Sequence, residues 1–302
     1  MKTFSETING LEECLKGKVI GPGLVLFDKR ANPERCMHSL YEYITHFRCK
    51  TKKDLLEKLE KKRVKIKGSY AVRCKSYARI SSKTLERDVG AVLKNNKNKV
   101  DFSNPSNKIF VYLFKDSFLI GRLLWEKEKS YLLKSNPGSI TPTLASCVLK
   151  YLDYSPKEVL VNPLCKDGVI GIEAKLLMGR EVMCFDKLSN IRNARVNAKL
   201  AGVDAEIFSV IPLDWVDTKL DKSIADKIIS VLPSISKTKR ENHVKSLYEE
   251  FIHSCEHLIK PTGSICVIVS KPELFLDMMK FKLIKQKKIG KQPHSMLIFK
   301  PC

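Results

Sequence analysis

The sequence predicts an α/β protein: a mainly parallel sheet in the C-terminal half, preceded by α+β modules. Three observations carry this. From about residue 130, short β-branched runs alternate with amphipathic stretches of about 10–15 residues, the signature of strand–helix–strand units. Upstream of that point, short apolar runs, charged helices and Gly/Pro turns follow one another without such alternation. The basic excess is uneven as well. The net charge is +22, and residues 1–127 hold 28 Lys and Arg against 14 Asp and Glu.

Three blocks follow: 1–65, 66–127 and 128–302. In the first, Gly21-Pro22-Gly23 is a turn, Leu24-Val25-Leu26-Phe27 a strand, and 54–62 a charged helix burying Leu55, Leu56 and Leu59. In the second, 70–74 is a strand. Ser81 or Ser82, with an acid a few residues on, caps a helix that runs to Leu93. Residues 95–99 read as a polar loop. Strands at 109–113 and 118–121 are joined by Lys115-Asp116-Ser117. The third block opens on a linker containing Asn136-Pro137-Gly138. Helices are expected at 141–152, 168–178, 188–201 and 239–258, and strands at 158–161, 181–185, 205–208, 227–231 and 264–269. The apolar stretches 281–284 and 296–299 would close the sheet edge as an antiparallel hairpin.

Composition narrows the function. No segment approaches the 18 apolar residues of a membrane span, and the N-terminus shows no signal-peptide stretch, so a cytoplasmic protein without a membrane partner is expected. Ten cysteines are scattered with no C-x-x-C pair, which argues against a disulfide framework and against a zinc site; no metal is expected. A charge of this size attracts polyanions, nucleic acid first among them. Arg73, Lys75, Arg79, Lys83 and Arg87 fall on a strand, a loop and the first turns of a helix, where basic side chains meet phosphates, and Tyr77 is placed to stack on a splayed base. The competing reading of the same residues is a solvated charged face.

Ser69-Tyr-Ala-Val-Arg-Cys-Lys-Ser-Tyr-Ala-Arg-Ile-Ser-Ser-Lys-Thr-Leu-Glu-Arg-Asp-Val-Gly90, then Val100-Asp-Phe-Ser-Asn-Pro105, Ile109-Phe-Val111 and the stretch from Asp116 to Gly121, resemble the THUMP domain of RNA-modifying enzymes. The resemblance covers about 60 residues and implies binding of structured RNA, tRNA in most of the family. In such proteins a preceding N-terminal module helps to hold the tRNA, and residues 1–65 match it in size and position.

Val161-Asn-Pro-Leu-Cys-Lys-Asp-Gly-Val-Ile-Gly-Ile-Glu-Ala174, Val182-Met-Cys-Phe-Asp186 and the helix from Asn190 to Gly202 resemble the Rossmann-like class I methyltransferases that are fused to THUMP domains. This resemblance implies S-adenosylmethionine as cofactor and the exocyclic N2 of a tRNA guanine as target. It implies cofactor contacts at Asn162, Pro163, Cys165 and Gly168 in the first loop. Asp186 would accept from the ribose hydroxyls and Asp214 from the adenine amine, with Asp217 competing for the latter role. Glu173 supports the helix start, and Cys165 packs without a nucleophilic role. Leu232, Pro233 and Ser234 stand where the family holds the target base in an Asn/Asp-Pro-Pro-Tyr/Phe motif.

The chain departs from that pattern at several positions. The first loop has Asn162 for the family's acid, and Lys166 and Asp167 for a glycine and a small residue. The fourth-strand loop has Val231 for the polar residue and Ser234 for the aromatic. Two functions remain open on the sequence: a tRNA guanine-N2 methyltransferase, or an inactive methyltransferase fold that has lost its cofactor and binds tRNA or assists a protein partner.

Overall fold

The computed structural model describes residues 1–49, 51–76, 81–114, 117–128, 131–235, 241–290 and 294–301. The chain forms two compact units, Met1–Thr7 with Leu15–Lys127, and Ile8–Cys14 with Glu128–Cys302. Among the described residues no helix is long and apolar enough to cross a membrane.

The first unit is built on one eight-stranded sheet. Its strands are β1 (Thr3–Glu6), β2 (Lys18–Gly21), β3 (Leu24–Phe27), β4 (Ser39–Arg48), β5 (Gly68–Ser76), β6 (Asn98–Val100), β7 (Asn107–Phe114) and β8 (Ser117–Glu126), in the order β2-β3-β1-β4-β8-β7-β5-β6. Two helices cover one face, α1 (Lys52–Lys62) and α2 (Ser82–Leu93). Their apolar stripes, Leu55 and Leu59, and Leu85, Val89 and Leu93, pack with Tyr70, Val72, Ile109 and Val111 of the sheet.

Helix α1 is capped by Thr51, whose hydroxyl accepts the Asp54 N–H at 3.2 Å. Helix α2 departs from expectation. Ser81 takes the N-cap position, but its hydroxyl makes no capping bond. The acid Glu86 instead accepts the Cys74 N–H at 2.8 Å, tying the helix to β5. The polar run expected as a loop at 95–99 ends in β6, which pairs in parallel with β5 at the sheet edge.

The second unit is the expected α/β sheet. Its strands are β9 (Leu160–Pro163), β10 (Val182–Asp186), β11 (Phe208–Val210), β12 (Ala225–Val231), β13 (Ile259–Val269), β14 (Lys282–Ile289) and β15 (His294–Lys300), ordered β11-β10-β9-β12-β13-β15-β14. Strands β9 to β13 pair in parallel, and β15 inserts antiparallel between β13 and β14. The tail hairpin is therefore continuous with the sheet, with β14 outermost.

Helices α3 (Pro142–Tyr151), α4 (Val169–Leu176), α5 (Leu188–Ala201), α6 (Val216–Lys219), α7 (Glu241–Leu258) and α8 (Pro272–Leu276) connect the strands. The chain leaves β9 toward β10 and β11 on one side and returns to place β12 on the other. The strand order thus reverses between β9 and β12, and a crevice opens at the carboxyl ends of the strands there. Behind it, Val161, Phe185, Ile228, Phe251 and Phe275 belong to one buried core that locks these strand ends in place.

Candidate functional site

Three connections meet at this reversal point. The first leaves β9 at Pro163 and turns sharply over residues 164–168. Leu164, Lys166 and Gly168 all have left-handed backbones, with φ of 52°, 54° and 81°. A leucine and a lysine in that region each store about 1–2 kcal/mol of strain, so the loop is held by its bonds. The Cys165 N–H donates to Phe185 O (3.2 Å) and the Gly168 N–H to Cys165 O (2.8 Å). Lys166 Nζ reaches Gly138 O at 2.8 Å, where the predicted linker turn lies.

Gly168 is required twice over. Beyond its positive φ, a Cβ there would sit 2.7 Å from the Phe208 ring and 2.9 Å from Ala194 Cβ. We expect Gly168→Ala to destabilise the protein by about 2–4 kcal/mol, from left-handed strain plus overpacking. The shift of the urea midpoint checks this; an unchanged midpoint would show that Phe208 gives way freely.

Two polar side chains are buried in the same loop region. Asn162, 1% exposed, donates to Ile229 O at 2.6 Å, while its Oδ1 has no partner among the described residues. It borders a cavity of about 10 Å³ together with Cys165, Asp167 and Val231, room for about one water. Asp167 accepts the Asn136 N–H at 3.1 Å, and burial raises its carboxyl above the ordinary range. The Cys165 thiol is likewise pushed up by burial, which leaves it inert.

The second connection follows β10, which ends in Asp186. One carboxylate oxygen accepts the Lys166 N–H (2.8 Å); the other accepts the Lys187 N–H (2.7 Å) and Asn190 Nδ2 (2.9 Å). The third follows β12. Here Ser230 is buried and donates to Pro163 O at 2.7 Å, the Leu232 side chain lies in the core, the Pro233 carbonyl accepts the Tyr248 hydroxyl at 2.7 Å, and Ser234 is exposed.

A cavity of about 350 Å³ joins these ends. Phe185, Asp186, Ile211, Asp214, Pro233 and Leu247 are among its walls. Asp214 sits on the short turn after β11, exposed at the rim. Asp217 is not part of the lining and lies 3.7 Å from His253 Nε2. The structure therefore brings Asp186, Asp214 and Pro233 to one cavity, with Asn162 and Cys165 at the small neighbouring one. The wall from α7, with His243, Leu247 and Glu250, is absent from the sequence reading. Its only signal is the amphipathic pattern of that helix, which says which face is buried but not what it faces.

In the first unit, Arg73 and Lys75 lie on β5, and Lys83 and Arg87 are exposed on the first turns of α2. Lys75 Nζ pairs with Glu6 (2.7 Å to Oε1), and Arg87 Nε with Asp88 (3.0 Å). Tyr77 and Arg79 lie outside the described residues.

A family model described as "UPF0020: RMKL-like, methyltransferase domain" matches residues 130–299, more than half of the chain. The chain belongs to the RMKL-like methyltransferase domain family. Within its own fold this RMKL-like chain is similar to TrmN from Thermus thermophilus, with a TM-score of 0.80 at 19% identity over 100% of this chain and 99% of that one. It is also similar to SMU.472, solved in complex with SAH, with a TM-score of 0.78 at 14% identity over 100% and 98%. Both establish the Rossmann-like methyltransferase architecture.

By sequence, the chain is 30% identical over 213 residues to a tRNA (guanine(10)-N2)-dimethyltransferase of Methanothermobacter thermautotrophicus, covering 67% of this chain and 62% of that protein. It is 23% identical over 238 residues to a tRNA (guanine(6)-N2)-methyltransferase of Methanocaldococcus jannaschii, covering 65% and 61%. The chain thus spans about three fifths of the length of these curated relatives.

Proposed function

We propose that this protein is a cytoplasmic tRNA (guanine-N2-)methyltransferase that uses S-adenosylmethionine. Residues 66–127 act as a THUMP domain and 1–65 as its associated module, together holding the tRNA, while residues 128–302 carry the methyl transfer. One observation supports this reading above the rest. Two acids from different strand ends, Asp186 and Asp214, line one cavity of about 350 Å³ beside Pro233, where the strand order reverses. The relatives named for guanine-N2 methylation of tRNA point the same way.

The donor set fits the cofactor. Asp186 is an acceptor for ribose hydroxyls, Asp214 for an adenine amine, and Phe185, Ile211 and Leu247 provide apolar walls for the base. The Asn162 Oδ1, buried without a partner among the described residues, is an acceptor suited to an ammonium group. S-adenosylmethionine supplies an electrophilic methyl on a sulfonium centre. The protein's part is positioning and electrostatic stabilisation, because an amine attacking in line needs little acid–base help.

The segment Leu232-Pro233-Ser234 carries the target guanine. Tyr248 takes one lone pair of the Pro233 carbonyl and fixes its direction, leaving the second for the amine. The exposed Ser234 hydroxyl stands where the family places an aromatic.

The test is methyl transfer from labelled S-adenosylmethionine to a tRNA transcript, read by nucleoside digestion and mass spectrometry. N2-methylguanosine is the expected product. Salt-sensitive tRNA binding with no label incorporated, and no heat from S-adenosylhomocysteine in calorimetry, would replace this reading with that of an inactive tRNA-binding fold.

A further inference from the structure

Three features meet at residue 166. Its backbone is left-handed, a conformation that suits glycine, yet the residue is a lysine. It borders both cavities, the small one beside Asn162 and the large one that reaches Asp186 and Asp214. Its Nζ donates to Gly138 O at 2.8 Å. Ser139 and Ile140, the next two residues after Gly138, line the small cavity. The ammonium is therefore anchored beside that cavity.

The walls around it are acidic. Asp167 lines the small cavity, and Asp186, Asp214 and Glu250 line the large one. Two lysines stand against these acids, and no arginine lies among the described lining residues. Lys187 is exposed and borders only the large cavity, whereas Lys166 is half-buried and borders both. The two acids nearest Lys166 in the loop are held by backbone donors: Asp167 accepts the Asn136 N–H at 3.1 Å, and Asp186 the Lys166 N–H at 2.8 Å.

The amino-acid end of S-adenosylmethionine carries an ammonium and a carboxylate on one carbon. The ammonium suits the partnerless Asn162 Oδ1. A carboxylate among acids is costly unless a cation meets it. Because both groups share a carbon, the cation that meets the carboxylate has to border the Asn162 cavity. Lys166 is the one Lys or Arg among the described residues that does so.

We infer that Lys166 holds the carboxylate at the amino-acid end of the cofactor and makes the site selective for nucleosides that carry one. The inference rests on the S-adenosylmethionine reading above and adds to it a residue and a specificity. A left-handed lysine is the kind of local strain that is retained where a side chain serves a ligand. Half-burial shields the ion pair from the screening that weakens exposed ones.

The experiment is isothermal titration of the full chain with two nucleosides. One is S-adenosylhomocysteine. The other is its decarboxylated analogue S-adenosyl-3-thiopropylamine, which keeps the adenosine, the sulfur and the ammonium. The wild-type chain is expected to prefer S-adenosylhomocysteine by about tenfold or more. Lys166→Met removes that preference by weakening S-adenosylhomocysteine alone, and Lys166→Arg retains it. Lys166→Gly also loses the preference, while its melting temperature stays at or above that of wild type, because glycine relieves the left-handed backbone. A lysine that only ties the loop to Gly138 would give a different result, with both nucleosides weakened equally in Lys166→Met. That result, a full preference in Lys166→Met, or no preference in the wild-type chain overturns the assignment and leaves cofactor binding standing. Binding of neither nucleoside by the wild-type chain overturns the cofactor reading as well.

Discussion

Replacing Asn197 with leucine is expected to lower the stability of the second unit by about 4 kcal/mol. Asn197 is fully buried on α5 and uses its whole hydrogen-bonding capacity. Its Nδ2 donates to Lys134 O (2.8 Å) and Asp167 O (3.0 Å), and its Oδ1 accepts the N–H groups of Leu133 (3.1 Å) and Lys134 (3.0 Å). Leucine matches its size but strands two backbone donors and two carbonyls. Each buried, unsatisfied group costs about 1–3 kcal/mol, offset in part by the apolar side chain and by water admitted on relaxation.

For a unit of this size the loss corresponds to a fall in melting temperature of roughly 10 °C, readable by scanning calorimetry. A drop of under about 1 kcal/mol would show that residues 133–134 are held by other contacts. The consequence reaches beyond stability. The same side chain ties that linker to the loop at Asp167, and Lys166 next to it reaches back to Gly138. Loosening Asn197 therefore loosens the loop that shapes both cavities.

The parts of this arrangement that were legible in the sequence are those encoded locally. Amphipathic helices and β-branched runs mark α3, α5, α7, β10, β12 and β13, because each buries one stripe or both faces against its neighbours. Strand β11 begins at Phe208 rather than 205, because Asp204 accepts the Glu206 N–H at 2.9 Å and turns 205–207 into a short 3-10 helix. Strands β1 and β4 carry little hydropathic alternation. The hydroxyls of Thr3 and Ser5 are buried by bonding to Lys29 O and Ser39 O, and β4 is broken by two register shifts.

The site divides in the same way. Asp186 and Asp214 are visible as acids at strand ends. The partnerless oxygen of Asn162, the reach of Lys166 to Gly138 and the wall from α7 depend on residues far apart in the chain, and no local pattern announces them.

Asp186→Ala is expected to weaken S-adenosylhomocysteine binding by roughly a hundredfold or more. A carboxylate offers about four lone-pair positions, and three are taken, by Lys166 N–H, Lys187 N–H and Asn190 Nδ2. One position remains for a ribose hydroxyl. A second becomes available if the Asn190 side chain swings away, since it alone of the three donors is not backbone. Two hydrogen bonds to a charged acceptor are worth about 3–6 kcal/mol together, and every 1.4 kcal/mol is tenfold in affinity.

The controls follow from the same geometry. Asn190→Ala frees a lone pair without removing the carboxylate, so its affinity stays within about threefold of wild type or improves. Asp214→Ala, at the exposed rim, costs about tenfold, because solvent screens its contact. Isothermal titration reads all three variants, with a melting curve for each to confirm folding. If Asp186→Ala binds S-adenosylhomocysteine as wild type does while remaining folded, the carboxylate serves only to hold the Lys166 backbone. The ribose would then have to be sought elsewhere along the cavity, with Glu250 the next acid in its wall.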